Sequence, residues 1–500
     1  MKFKLKQLNI FSKSHQINDG ESDSESDYIE DTIGAVGVWQ VAVCATASLT
    51  RFLAMGNMTS VVFLTPVTKF TCVEFQNNAT INTDIMTCYK NCTKYDYHSQ
   101  VMETTLISDF GLICEKSWLA SLTQTILMLG LVFGVSLFGW MSDRYGRRVA
   151  LLLSTFLNIL SMIPTSFVTQ FWMFNALRFV SGIASGGSLI ICLPIVMENI
   201  GKRYREVAGA LCILPDGIAE ASLALFAYYL PTWNNYLLGF SVSCIFIVIL
   251  ICFVPESPRW LISVGKIDEA VKILERAAKL NKLNTTNIKE IVAKKVEALN
   301  IKEKEKICPS YFDFFRTKEI RYITMSTLCV WTVVGTTYYG IYQYVTLISD
   351  NIFITVAILG LMQLPLCPTE IVITKVYSRK SSLIVSLILT GVIMLILIFT
   401  PKGHWFTSIL GIVGFATVSV SFAIVYVYEA ELYPTTLRNM AFGFASAAAK
   451  LGAMAAPFIA NISPTWIPSA IFGSMSLVAA VSCIILPETK GKNLKDTVNS

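Results

Sequence analysis

The stretch DRYGRR, Asp143 to Arg148, has a counterpart in KVYSRK, Lys375 to Lys380. Arg147 and Arg379 are the matching positions, 232 residues apart (379 − 147). PESPRWL begins at Pro255 and PETKG at Pro487, again 232 apart (487 − 255). Glu198 of MENIGKRYR and Glu431 of AELYPTTLR are 233 apart (431 − 198). One short motif recurs easily by chance, but three polar landmarks in register do not. The chain therefore reads as two copies of one unit in the same orientation. Each landmark closes a long apolar run, so the repeated unit is a bundle of apolar helices. Parallel halves around a midplane site are a transporter architecture.

Composition agrees. Of 500 residues, 54% are hydrophobic and 15% charged, and the mean hydropathy is +0.57. A soluble enzyme of this size carries far more charge. Crossing a bilayer takes about 20 mostly apolar residues per helix. Twelve such runs lie near 37–64, 119–142, 149–169, 172–197, 207–230, 236–254, 322–348, 352–374, 381–400, 405–428, 436–461 and 464–486. The expected fold is an all-α membrane protein of twelve transmembrane helices in two six-helix pseudo-repeats. The segments are a disordered tail (1–34), a first bundle (35–255) with a large loop (65–117), linker helices (256–321), a second bundle (322–487) and a tail (488–500). The first span follows a polar tail and is too long for the apolar core of a cleavable leader. The tail is Lys-rich and then acidic (DGESDSESDYIED), a composition of unstructured, phosphorylatable segments.

The loops at 143–148, 201–206, 256–321 and 375–380 and the C-terminal tail are basic, whereas LPTWNN, ISDN and NISPTW hold no Lys or Arg. Positive loops stay inside, so both termini are expected in the cytoplasm. The net charge of +6 follows from this and points to no nucleic-acid partner; the partners implied are the lipid bilayer and a small solute. Four of 13 cysteines, Cys72, Cys88, Cys92 and Cys114, share the large outer loop. An oxidising compartment makes them two disulfides, with three pairings open. The same loop offers Asn78 and Asn91 as glycosylation acceptors, while Asn57-Met-Thr falls in a span and Asn284-Thr-Thr inside the cell. In the linker, GKIDEAVKILERAAKL places Ile267, Ala270, Val271, Leu274, Ala277 and Ala278 on one helical face, to lie on the inner membrane surface or pack on the linker itself.

GWMSDRYGRR, FGLICEKSW, PESPRWL, ELYPTTLRN and the cysteine-bearing first loop together resemble the major facilitator superfamily. Within it they are similar to the solute carrier branch that moves organic cations, anions and zwitterions. The match runs from about residue 34 onward. The second half departs where Lys375 and Ser378 stand in place of the acid and glycine of DRYGRR.

A carrier must close one mouth as it opens the other, and Arg–carboxylate pairs at helix ends can do this. Asp143, Arg144, Arg147, Arg148, Glu198, Arg205, Glu256, Arg259, Glu431 and Arg438 occupy such ends. For the arginines, a solvated basic rim that sets topology is a second role. Gly139 and Gly146 are expected to allow close backbone approach.

Lys450 lies at the middle of the greasy run FGFASAAAKLGAMAAPF, where an insertion scale sets the cost of a charge at about 2.5–3.5 kcal/mol. It must face a cavity or meet a carboxylate. Asp216 and Glu220, spaced i, i+4 on one face, are available, with Arg51 in the first span and Glu370 towards the inner end of the eighth. Two readings follow: a buried pair of Lys450 with Asp216 or Glu220, or a counter-charge for substrate. The resemblance implies that cation carriers hold an aspartate at the place of Lys450, and a glutamate before the proline of the eighth span. That second place is Gln363 here. An organic anion or zwitterion is thus the expected substrate, with Asp216 and Glu220 able to hold an amine. The alternatives are a cation carrier using those two acids, and a non-transporting receptor of the same fold. Aromatic residues complete an apolar pocket: Tyr338 and Tyr342 share a helix face, and Tyr426 comes from the tenth span. An enzyme is not indicated. The three histidines lie in the tail and outer loops, and the pattern holds no nucleophile–base pair, metal set, cofactor motif or phosphate loop.

Overall fold

In hydrocarbon every backbone polar group needs an internal partner, so apolar runs of this length become helices. The computed structural model describes residues 28–75, 84–99, 101–284, 287–303, 314–315, 317–401, 404–433 and 437–490. A short helix α1 (Tyr28–Ile33) precedes the first span, α2 (Val38–Thr59). The large loop carries one antiparallel ribbon, β1 (Lys69–Phe75) with β2 (Cys92–His98). The first bundle continues with α3 (Trp118–Tyr145), α4 (Arg147–Thr165) and α5 (Phe171–Asn199). Its fifth span is broken into α6 (Arg205–Leu211) and α7 (Leu214–Tyr229), and its sixth into α8 (Trp233–Ser243) and α9 (Ile245–Ile251). The linker forms α10 (Pro258–Ser263), α11 (Ile267–Leu280) and α12 (Ile288–Glu303). The second bundle is α13 (Lys318–Ile348), a broken eighth span α14 (Ile352–Leu361) and α15 (Gln363–Val376), then α16 (Arg379–Leu397), α17 (Trp405–Leu432), α18 (Arg438–Ala460) and α19 (Trp466–Cys483).

Among the described residues, 11 helices are long and apolar enough to cross a membrane. The twelfth expected span is α13, whose 31 residues suffice in length. Its middle, TVVGTTYYGIYQY, is rich in Thr and Tyr, which lowers its hydropathy and, as shown below, furnishes the interior.

One expectation about the first segment is corrected. The segment up to residue 34 is not structureless throughout: Tyr28, Ile29 and Ile33 of α1 are buried, because the linker offers them an apolar seat. The apolar face expected on α11 is that seat, with Ala270, Val271, Leu274, Ala277 and Ala278 all buried. Asn281, just past α11, fastens the linker to the first bundle. Its Nδ2 donates to Ile33 O at 2.9 Å and to Gln40 Oε1 at 2.7 Å, and its Oδ1 accepts from Trp39 N at 3.1 Å.

The halves meet on the side of the large loop. There Thr125 Oγ1 donates to Met454 O at 2.8 Å and Asn461 Nδ2 to Ser121 Oγ at 2.9 Å, while Phe63 stacks on Phe353 at 5.5 Å. They also cross at Gly217 and Gly360, where a Cβ on either would lie 2.5 Å from the other's carbonyl oxygen. In the loop, Cys72 pairs with Cys92 and Cys88 with Cys114, one of the three pairings left open. Asn91 is exposed; Asn78 lies outside the described residues.

Candidate functional site

The polar rim opposite the loop is built twice. In the first half, Arg147 Nε and Nη2 donate to Glu198 Oε1 at 3.2 and 3.1 Å, and Arg147 N donates to Glu256 Oε1 at 2.8 Å. In the second, Arg379 Nε and Nη2 reach Glu431 Oε1 at 3.4 and 3.2 Å, and Arg379 N donates to Glu488 Oε1 at 3.2 Å. Arg148 Nη2 donates to Cys252 O at 2.8 Å; its counterpart Lys380 donates through Nζ to Ile484 O at 2.7 Å. Burial pushes the Glu488 carboxyl up, yet hydrogen bonds from Ser378 and the Lys490, Arg379 and Thr489 N–H groups hold it below the usual carboxylate range.

The copies differ at one corner. Arg147 Nη1 donates to Asp143 and, at 3.0 Å, to Ser142 Oγ. Arg379 Nη1 is buried with no acceptor among the described residues, the position of the matching acid being Lys375. Every rim ion pair among the described residues lies within one half. Arg144 stacks over Trp140 at 5.8 Å, Arg259 donates to Glu198 O at 3.0 Å, and Arg205 reaches Ile200 O at 3.4 Å. Arg438 has Nε and Nη2 buried without acceptors among the described residues.

Of the two glycines, Gly139 faces open space, contrary to the close approach expected of it. Gly146 behaves as expected: its φ is +111°, and a Cβ would lie 2.2 Å from Glu256 Oε2. With ψ 155°, that conformation belongs to glycine and costs other residues about 1–3 kcal/mol. Gly146→Ala should therefore lower the thermal midpoint of the purified protein and reduce uptake; an unchanged midpoint would refute the assignment.

Midway between the rim and the loop lies a cluster of charges. Arg51 on α2 grips Asp216 on α7, Nε to Oδ1 at 3.1 Å and Nη2 to Oδ2 at 2.5 Å. Glu220, fully buried, accepts from Gln363 Nε2 at 2.8 Å, a bond between the halves. Its other oxygen, Oε1, is buried with no donor among the described residues. So neither acid pairs with Lys450, the pairing weighed from sequence. Lys450 is 9% exposed, makes no hydrogen bond or ion pair among the described residues, and lies within electrostatic reach of Arg51.

Aromatic rings from α13, α17 and α18 wall this cluster. Tyr338 packs on Phe415 and Phe422, each at 5.1 Å, and Tyr342 on Phe415 at 5.6 Å. Tyr426 meets Trp331 at 4.7 Å and Phe442 at 6.3 Å. Trp331 and Phe415 were missed, although Trp331 and Tyr338, and Phe415 and Phe422, stand seven apart and so share a face. Glu370, at the middle of α15, is half-buried. Two further charges were missed. Glu429, buried in α17, accepts from Trp331 Nε1 at 3.3 Å. Arg178, buried in α5, donates to Asn57 Oδ1 at 2.8 Å and Ser60 Oγ at 3.1 Å, an Asn that its glycosylation triplet alone would mislead on. A charge inside an apolar run was the signal for both.

Sequence comparisons place this architecture. The sugar (and other) transporter profile matches residues 43–499, so the chain belongs to that family of major facilitators. It is 32% identical over 408 residues to solute carrier family 22 member 3 of Mus musculus, covering 81% of this chain and 73% of that protein. It is 30% identical over 415 residues to solute carrier family 22 member 7 of Rattus norvegicus (81% and 76%). With organic cation/carnitine transporter 2 of Homo sapiens it shares 28% over 417 residues (81% and 73%). Among solved structures, the proton:xylose symporter XylE bound to 6-bromo-6-deoxy-D-glucose superposes with a TM-score of 0.65 at 16% identity, over 92% of this chain and 98% of that one, a likeness of fold. The protein is a multi-pass membrane transporter related to the family 22 carriers, and its family is one of transporters, not enzymes.

Proposed function

We propose that this transporter moves small organic anions or zwitterions across the plasma membrane by alternating access, with both termini cytoplasmic. The observation that supports the anionic reading is Lys450. The acid that would neutralise it, Asp216, is taken by Arg51, which leaves an ammonium at mid-membrane without a partner among the described residues. Unpaired charge at that depth is costly unless a ligand or water meets it. A carboxylate or sulfate is attracted to such a site and an organic cation repelled. Glu220 Oε1, buried without a donor among the described residues, offers a place for an amine, which extends the reading to zwitterions. Rim ion pairs in each half brace the helix ends about which the halves rock.

The test is initial-rate uptake in oocytes of one radiolabelled organic anion, one zwitterion and one cation of similar size. The anion or zwitterion should enter, the cation at background. Cation uptake alone would overturn the proposal in favour of a cation carrier using Glu220.

A further inference from the structure

Beside the Arg51–Asp216 pair lies a chemical group the transport reading does not use. Cys192 Sγ on α5 and Cys212 Sγ are 3.3 Å apart. Ser48 Oγ donates to Cys212 Sγ at 3.4 Å, and Cys192 Sγ donates to Ala47 O at 3.4 Å. Among the described residues no other free thiol pair has its sulfurs in contact; Cys252, for one, turns its Sγ to its own helix, donating to Val248 O. Buried cysteines are ordinarily inert fillers. What sets these two apart is their mutual contact at a break in the chain. Cys212 falls between Leu211, where α6 ends, and Leu214, where α7 begins. The break leaves slack that a continuous helix lacks.

We propose that Cys192 and Cys212 are a redox-active dithiol, a modification site at which a peroxide converts two thiols to a disulfide and thereby perturbs the charge pair next to it. The chemistry balances. The sulfur of one cysteine attacks hydrogen peroxide, the O–O bond breaks, and a sulfenic acid and one water form. The second thiol attacks that sulfur, the S–O bond breaks, and a disulfide and a second water form. Two thiols lose two electrons and two protons, and the peroxide is reduced to two waters.

The consequence for the site follows from position. A disulfide bond is about 2.05 Å long, so the sulfurs must close by roughly 1.2 Å from their present separation. Ser48 then loses its bond to the thiol, and the break in the fifth span is drawn towards α5. Asp216 sits one turn beyond Cys212, and Arg51 one turn beyond Ser48. The shift therefore moves one partner of the ion pair and not the other. A displacement of about 1 Å in a binding constellation costs up to about a hundredfold, and a fall in uptake of roughly three- to tenfold is expected here.

The experiment uses the full-length transporter at the cell surface, treated with hydrogen peroxide, with non-reducing peptide mapping and initial-rate uptake read in parallel. Wild type should gain a Cys192–Cys212 linkage, lose uptake, and recover both on treatment with dithiothreitol. Cys192→Ala and Cys212→Ser should each transport at the untreated level and resist peroxide; should one fail to reach the surface, Cys192→Ser serves in its place. The effect on uptake rests on the transport reading above, but the linkage is read without it. Absence of a Cys192–Cys212 linkage after peroxide overturns the proposal, as does a linkage to Cys44 instead. A linkage formed with uptake unchanged overturns its coupling to the site.

Discussion

Lys450→Asp is expected to abolish uptake of organic anions while leaving the protein at the surface, and Lys450→Ala to reduce that uptake by roughly a hundredfold. The argument combines what Lys450 touches and what it does not. No ion pair among the described residues includes it, so its removal orphans no carboxylate; the Arg51–Asp216 pair and the Glu220–Gln363 bond stay intact. Folding should thus be spared. Substrate binding should not. Two unit charges 4 Å apart at an effective dielectric near 20 interact by about 4 kcal/mol, and every 1.4 kcal/mol is about tenfold in affinity. Desolvating the substrate's own charge offsets part of this and leaves roughly two orders of magnitude. Lys450→Arg keeps the charge on a longer, planar head and should retain part of the activity. Lys450→Asp reverses the field and should admit small organic cations. The measurement is uptake per surface molecule, by biotinylation and tracer flux in the same cells. Normal anion uptake by surface-expressed Lys450→Ala sinks the counter-charge role.

What the sequence made legible divides along a physical line. Arg147, Glu198 and Glu256 and their counterparts Arg379, Glu431 and Glu488 could be matched because an offset along the chain survives folding unchanged. The contacts these residues make with one another are then repeated in the second half, the Asp143 corner excepted. The face of α11 was legible for the same reason, since helical periodicity is local. Partners across the bundle were not. Asp216 offers the same carboxylate to Arg51 or Lys450 as far as one helix can say, and the choice is made by how α2 packs against α7. The disulfide pairing in the loop is likewise set by the register of β1 on β2, where Cys72 and Cys92 are brought to neighbouring strands. Gly139 failed because a glycine at a helix end reads alike whether a neighbour lies against it or not. Glu429 and Arg178 were readable in principle, as charges inside apolar runs.

Asp216→Asn should be strongly destabilising, and the pattern of its rescue identifies its partner. The side chains of Arg51 and Asp216 are 17% and 6% exposed, so neither can turn to water when the other is lost. Breaking a buried pair by removing one charge typically costs about 3–5 kcal/mol, since the other charge is left uncompensated. That is a large share of the stability of an ordinary domain, and the single variant should be held inside the cell. Replacing both partners by apolar residues of similar volume is often neutral. Arg51→Met with Asp216→Leu should therefore restore surface expression. The charge exchange Arg51→Asp with Asp216→Arg should restore it in part, because the longer side chain then starts from the other helix. Combining Asp216→Asn with Lys450→Ala should not help, because Lys450 is not the partner. If that last double variant reaches the surface and the Arg51 double variant does not, Lys450 holds the acid after all. The unpaired cation at mid-membrane would then be Arg51, and the anion would have to be met from the first span rather than the eleventh.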